Sequence, residues 1–137
     1  MVIRYMLDTD ICSYVIRGGH RTLDVRIARA EPASLCISVV TRAELLYGVE
    51  HKGRPPALAA LVGGFLQEVD SLPWDDDAAR HYAEVRAGLE RAGTPIGNLD
   101  LMIAAHARAQ QMVLVTNNDR RFRNVPDLKR ENWVRAA

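Results

Sequence analysis

Four acidic side chains occupy positions from which chemistry could be done. Asp8 closes the apolar run Val2-Ile3-Arg4-Tyr5-Met6-Leu7, Glu44 follows the polar opening Thr41-Arg42 of a helical stretch, Asp100 begins the Ala-rich segment 99–109, and Asp119 follows the apolar run 112–115. Carboxylates gathered at one place repel one another unless a cation sits between them. Hard oxygen donors of this kind suit Mg²⁺ or Mn²⁺. Such an ion activates water and neutralises a phosphoryl transition state, so the expected chemistry is phosphodiester or phosphate-monoester transfer.

Each residue also has a purely structural reading. Asp8 or Asp10 can cap the helix that follows. Thr41-x-x-Glu44 matches a capping box, in which the glutamate returns to the cap's own amide. Asp100 suits the first turn of a helix through the dipole, although Gly97 and Asn98 beside it suggest a backbone shaped for close approach. Asp119 lies in Thr116-Asn117-Asn118-Asp119, a run of common turn formers. The four taken together are more specific than any one.

The elements that must position them alternate. Strands are expected at 2–7, 34–38 and 112–115, with a short edge strand at 69–73 whose Pro73 cannot donate to a ladder. Helices are expected after Asp8, around 23–28, from Thr41, at 57–68, from Asp75 to Arg91 and over 99–109, with loops at 52–56 and 93–98. This order implies strands joined by crossovers in a three-layer α/β/α domain with a central, mostly parallel sheet. Such sheets place ligands at the carboxyl ends of their strands.

The 137 residues are 48% hydrophobic and 26% charged with a net charge of +1, which fits one ordinary domain spanning 1–137 and excludes disorder or a coiled coil. No apolar stretch reaches the roughly 20 residues of a membrane span, and no secretion signal is visible, so a cytoplasmic protein is expected. Cys12 and Cys36 lie in apolar segments without metal-ligand spacing and read as buried reduced thiols. His20, His51, His81 and His106 show no ligand spacing and read as surface or helix-face residues. Six of the 18 basic residues fall between Arg120 and Arg135, so a polyanion would meet a patch rather than a global field. The stripe Leu58, Leu61, Val62, Phe65 and Leu66 reads as core, with any exposed part open to a partner.

These residues resemble the PIN domain family, and within it the VapC-type toxins of toxin–antitoxin pairs. The likeness rests on Met6-Leu7-Asp8-Thr9-Asp10, on Ser38-Val39-Val40-Thr41-Arg42-Ala43-Glu44-Leu45 with Gly48, and on Ile96-Gly97-Asn98-Leu99-Asp100-Leu101-Met102-Ile103-Ala104-Ala105. Leu114-Val115-Thr116-Asn117-Asn118 and Phe122 with Val125-Pro126 and Glu131-Asn132-Trp133 extend it over nearly the whole chain. The resemblance implies a metal-dependent endoribonuclease in which Asp8 and Asp100 hold Mg²⁺ (or Mn²⁺) and Glu44 completes the catalytic set. Many relatives carry a fourth acidic residue two positions after the strand-ending threonine; here that position is Asn118, with Asp119 one place later. Thr116, Asn118 and Asp119 are therefore expected to support the site rather than to ligate. Arg120, Arg121 and Arg123 are the expected RNA contacts. The resemblance also implies structured RNA such as tRNA as substrate, a cognate VapB-type antitoxin and a homodimer.

Two rivals accompany this reading. Asp8-Thr9-Asp10 after a buried strand also resembles the nucleophile and acid of haloacid-dehalogenase-type phosphatases, but neither Lys52 nor Lys129 is placed as their phosphate-holding lysine. A non-catalytic RNA- or protein-binding module would not need Asp8, Glu44 and Asp100 together.

Overall fold

Alternation along three short strands divides the interior in two. In the computed structural model, which describes residues 2–135, Met6, Cys36 and Leu114 point into one buried cluster while Leu7, Ile37 and Val115, the next residue in each strand, point into another. Successive strand side chains face opposite sides of a sheet, so this pattern demands cover on both faces. The first cluster is closed by α5 (Asp76–Arg91) and α6 (Asn98–Ala109) through Val85, Leu89, Leu101 and Ile103. The second is closed by α1 (Thr9–Arg17), α2 (Arg21–Arg29), α3 (Val39–His51) and α4 (Pro56–Glu68) through Ile11, Leu23, Leu45, Val49, Val62 and Leu66. Each fully buried aliphatic side chain contributes about 1.5–3 kcal/mol of transfer free energy.

The sheet is five-stranded and parallel in every pairing: β1 (Tyr5–Leu7), β2 (Leu35–Ser38), β3 (Asp70–Leu72), β4 (Val113–Val115) and β5 (Arg130–Glu131), in the order β3-β2-β1-β4-β5. The three-layer expectation holds. β3 lies at an edge, where a following proline costs no ladder bond. β5 was not expected: it has two residues, both charged, and pairs Arg130 with Leu114 and Glu131 with Val115. Its existence follows from the partner strand rather than from any pattern of its own.

Two local expectations need correction. The helix expected from Thr41 begins at Val39, capped by the Ser38 hydroxyl accepting from the Val40 N–H at 3.1 Å, so Thr41 is already inside it and fully buried. His106 is no surface residue. It is fully buried on α6, with Nδ1 2.8 Å from the Ser38 hydroxyl, and desolvation holds its pKa below the usual histidine value. Both cysteines are buried and unpaired, as expected. α1 stops at Gly18-Gly19, whose φ values of 74° and 97° only glycine takes without strain.

Candidate active site

Adjacent central strands deliver the first two groups. Leu7 pairs with Val115, so the next residues, Asp8 and Thr116, leave the sheet side by side at its carboxyl rim. The ladder runs one step further: the Asp8 N–H donates to the Val115 carbonyl at 3.0 Å and the Thr116 N–H to the Glu131 carbonyl at 3.0 Å. Asp8 then caps α1, its Oδ1 accepting from the Ile11 N–H at 2.9 Å. Capping α1 does not take Asp8 away from the rim, for the same side chain also lines the acidic cavity.

Glu44 does not act in a capping box. Its Oε1 accepts from the Thr9 hydroxyl at 2.6 Å, a bond between α3 and α1 that turns the carboxylate toward Asp8 and Asp10. Thr9 also lies 3.2 Å from the Thr41 hydroxyl, so the buried threonine braces the same contact. Asp100 sits in the first turn of α6, where the helix dipole favours an acid. Gly97 before it has an ordinary extended backbone, φ −60° and ψ 148°. A Cβ there would make only ordinary contact, 3.8 Å from Asp100 Oδ2, so neither the turn nor the space at this position requires glycine.

Asp8, Asp10, Glu44 and Asp100 line one cavity of about 310 Å³ together with Thr9 and Arg121. Burial is the main reason the Asp8 pKa rises from 3.8 to about 6; hydrogen bonds from Thr116 and Ile11 oppose it, while the charges of Asp10 and Asp100 add to it. Glu44 and Asp100 are also raised, first by burial, then by acidic neighbours, and both are pulled back by Arg121. Asp10, exposed on the first turn of α1, acts on all three other carboxylates. Sequence reasoning treated Asp10 as a cap and left it out of the site. The available signal was its spacing: two residues after Asp8, it starts the same helix.

The supporting residues divide. Thr116 is buried, bonds the Asp8 carboxyl and accepts from the Asn118 N–H at 3.0 Å. Asn118 caps the short helix α7 (Asp119–Phe122), its Oδ1 accepting from the Arg121 N–H at 3.1 Å. Asp119 does not line the acidic cavity; its Oδ1 accepts from Arg130 Nε at 2.9 Å. The expected RNA contacts lie together: Arg120, Arg121 and Arg123 line a neighbouring hollow of about 450 Å³ with Asn118 and Asn124. Arg121 belongs to both cavities, and its Nη1 stands 2.9 Å from Asp100 Oδ2.

A hard divalent cation fits the donor chemistry. Four carboxylates share a cavity, three of them have pKa values raised partly by one another, and a positive charge, that of Arg121, already compensates Asp100. Among the described residues no three acidic, histidine or cysteine side chains stand close enough to hold a metal ion as they are, so the fit rests on the chemistry of the donors and not on a formed cluster.

Comparison with known proteins identifies the fold that carries this cavity. The PIN domain model matches residues 5–128. The chain is 39% identical to the tRNA(fMet)-specific endonuclease VapC of Shigella flexneri over 132 residues, which cover 96% of this chain and 99% of that one. It is likewise 39% identical to Ribonuclease VapC2 of Haemophilus influenzae, covering 97% and 100%. Among solved structures it resembles DNA-bound VapBC from Salmonella typhimurium with a TM-score of 0.85, 37% identity and coverage of 96% and 99%. The phosphatase reading has no support in these likenesses, and Lys52 lines a groove between α1, α3 and α4 rather than the acidic cavity. With the family model matched over most of its length and VapC relatives 39% identical across nearly all of it, the chain belongs to the PIN domain family, among its VapC proteins.

Proposed function

We propose that this protein is a metal-dependent endoribonuclease, the toxin of a toxin–antitoxin pair, that hydrolyses phosphodiester bonds in structured RNA such as tRNA. The observation that carries the reading is the sharing of one cavity by Asp8, Asp10, Glu44 and Asp100 beside a hollow lined by three arginines. Nucleic acid needs both halves: basic side chains to receive the backbone, and an acidic centre to do chemistry on it.

Asp8 and Asp100 would hold Mg²⁺, with Mn²⁺ able to replace it. When bound, the ion supplies positive charge to the reacting phosphate and a more acidic water. Glu44 accepts the proton of the attacking water; its raised pKa and its fixed bond to Thr9 suit a base held at one angle. Thr116 favours the ionised form of Asp8 against the effect of burial. Arg120 and Arg123 take phosphates flanking the scissile bond, and Asn118 with Asp119 steadies the turn that presents them. Single-stranded loops of a folded RNA can reach such a rim, whereas a duplex groove offers it little to read.

A cognate VapB-type antitoxin has a ready path. A groove of about 380 Å³ between α1, α3 and α4 starts at Thr9, Asp10 and Glu44 and continues over Tyr14, Ile16, Leu45, Val49 and Leu58. An amphipathic segment laid there would cover the acidic rim and the apolar floor together. Leu46, Tyr47 and Leu61 remain exposed on α3 and α4 and suit the expected homodimer. No described helix is long and apolar enough to cross a membrane, and the two unpaired buried thiols suit the reducing cytoplasm.

The direct test is cleavage of a total tRNA pool by purified protein. Mg²⁺ or Mn²⁺ should support cutting, EDTA should stop it, and Asp8→Asn or Asp100→Asn should lower the rate by about a hundredfold or more while circular dichroism stays native. Undiminished cleavage by both variants defeats the assignment.

A further inference from the structure

Arg121 stands apart from the two arginines beside it. Among the described residues Arg120 and Arg123 form no ion pair, whereas Arg121 donates from Nη1 to Asp100 Oδ2 at 2.9 Å. Its charge also reaches Glu44, so it compensates carboxylates on two separate helices. Its backbone is fixed, the N–H being held by the Asn118 carboxamide, but its side chain is 39% exposed and lines the basic hollow as well as the acidic cavity. A long side chain on a fixed backbone, bordering two cavities, has somewhere to go when its first partner is taken.

We propose that Arg121 is the chain's own counter-cation for the acidic cavity, occupying Asp100 in the metal-free protein and yielding that oxygen to the divalent ion, so that this one side chain sets the metal affinity. The inference rests on the metal-binding assignment made above. A guanidinium is permanently charged and cannot be neutralised to make room; it has to move. Two cations on one carboxylate repel, and the ion therefore binds against the work of displacing Arg121. A half-exposed pair is weak enough for that displacement to occur at moderate ion concentration.

Calorimetric titration of the full chain with Mn²⁺, without RNA and at low salt, tests this. Arg121→Gln should bind Mn²⁺ about threefold or more tighter than wild type, a gain that shrinks as salt is raised. Arg121→Lys, which keeps the charge, should stay near wild type, and Arg120→Gln, which touches no carboxylate, should change affinity by less than about twofold. Equal or weaker binding by Arg121→Gln overturns the proposal, and so does an equal gain in Arg120→Gln, which would make the effect one of overall charge. Should wild type bind no Mn²⁺, or Asp8→Asn bind as well as wild type, the metal assignment itself falls; a failure at Arg121 alone leaves that assignment standing.

Discussion

Asp8 and Asp100 face one cavity with opposite kinds of support. Asp8 is 5% exposed and its charge is met by neutral dipoles, the Ile11 amide in the first turn of α1 and the Thr116 hydroxyl at the end of β4. Asp100 is partly exposed and its charge is met by a cation, the guanidinium of Arg121. Such dipoles cannot be retuned without moving the helix start and the strand end that carry them, whereas an arginine side chain can swing away. The cavity therefore has a rigid side, built by β1 and β4, and an adjustable side, built by α6 and α7. The rigid side is where stability is given up for function.

The sharpest way to break this contrast is to remove the two charges separately. In the metal-free protein the Asp8 pKa lies near 6 against an ordinary 3.8, so the folded state prefers the protonated form. That preference is fully present below about pH 3.8 and is lost as pH rises through about 6. At neutral pH the ionised carboxylate thus costs up to about 3 kcal/mol. Asparagine can still accept from the Ile11 N–H. Asp8→Asn should then be more stable than wild type by about 1–3 kcal/mol at pH 7.5 in EDTA, with the gap closing near pH 4. Asp100→Asn should show a smaller gain, because Arg121 already offsets part of the cost of burying that charge. Urea unfolding at the two pH values measures both, and a gap independent of pH would mean that burial of charge is not what separates the two residues.

A smaller effect sharpens the rigid side alone. The Thr116 hydroxyl lowers the Asp8 pKa and also receives the Asn118 N–H. Thr116→Val removes the first aid and leaves the second donor without an acceptor. The Asp8 pKa should rise further, moving the acid limb of the cleavage profile upward by about half a pH unit or more and lowering the rate near pH 6 by about twofold or more. A profile that falls in height without moving would assign Thr116 to loop geometry instead of to Asp8.

The sequence carried these two sides unequally. Alternating strands and helices announced the three-layer fold, and the run ending Met6-Leu7-Asp8 announced a carboxylate at a strand's carboxyl end. Period-two and period-3.6 patterns are local, and a strand's end follows from them. The partnerships at the rim are not local. Thr9 bonds Glu44 across 35 residues, and that contact displaced the capping-box reading drawn from Thr41 and Glu44 alone. Ser38 took the capping role because β2 runs directly into α3 without a loop, a junction no spacing rule reveals. β5 was invisible since two charged residues have no pattern, and of the two readings of His106, surface or helix face, the surface one fails because α6 is buried over most of its circumference. Asp10 was passed over for the opposite reason: its helix-start position had a sufficient local explanation, and its place in the cavity depends on where α3 and α6 come to rest.

Asp119 offers the finest discrimination, since it is the one acidic residue of the original four that the fold turns aside. Its Oδ1 pairs with Arg130 Nε at 2.9 Å, with the two side chains 55% and 24% exposed, and it lies at the start of α7 where the dipole adds a little. An ion pair so open to solvent is worth about 0–1 kcal/mol. Asp119→Asn should therefore lower stability by about 0.5 kcal/mol, leave Mn²⁺ affinity within about twofold of wild type, and slow cleavage only slightly, through a looser presentation of Arg120 and Arg123. Parallel Mn²⁺ titrations of Asp119→Asn and Asp100→Asn decide the matter. Equal losses of affinity in the two would mean that α7 swings inward when the ion arrives, and the adjustable side of the cavity would then include the backbone of that helix as well as the side chain of Arg121.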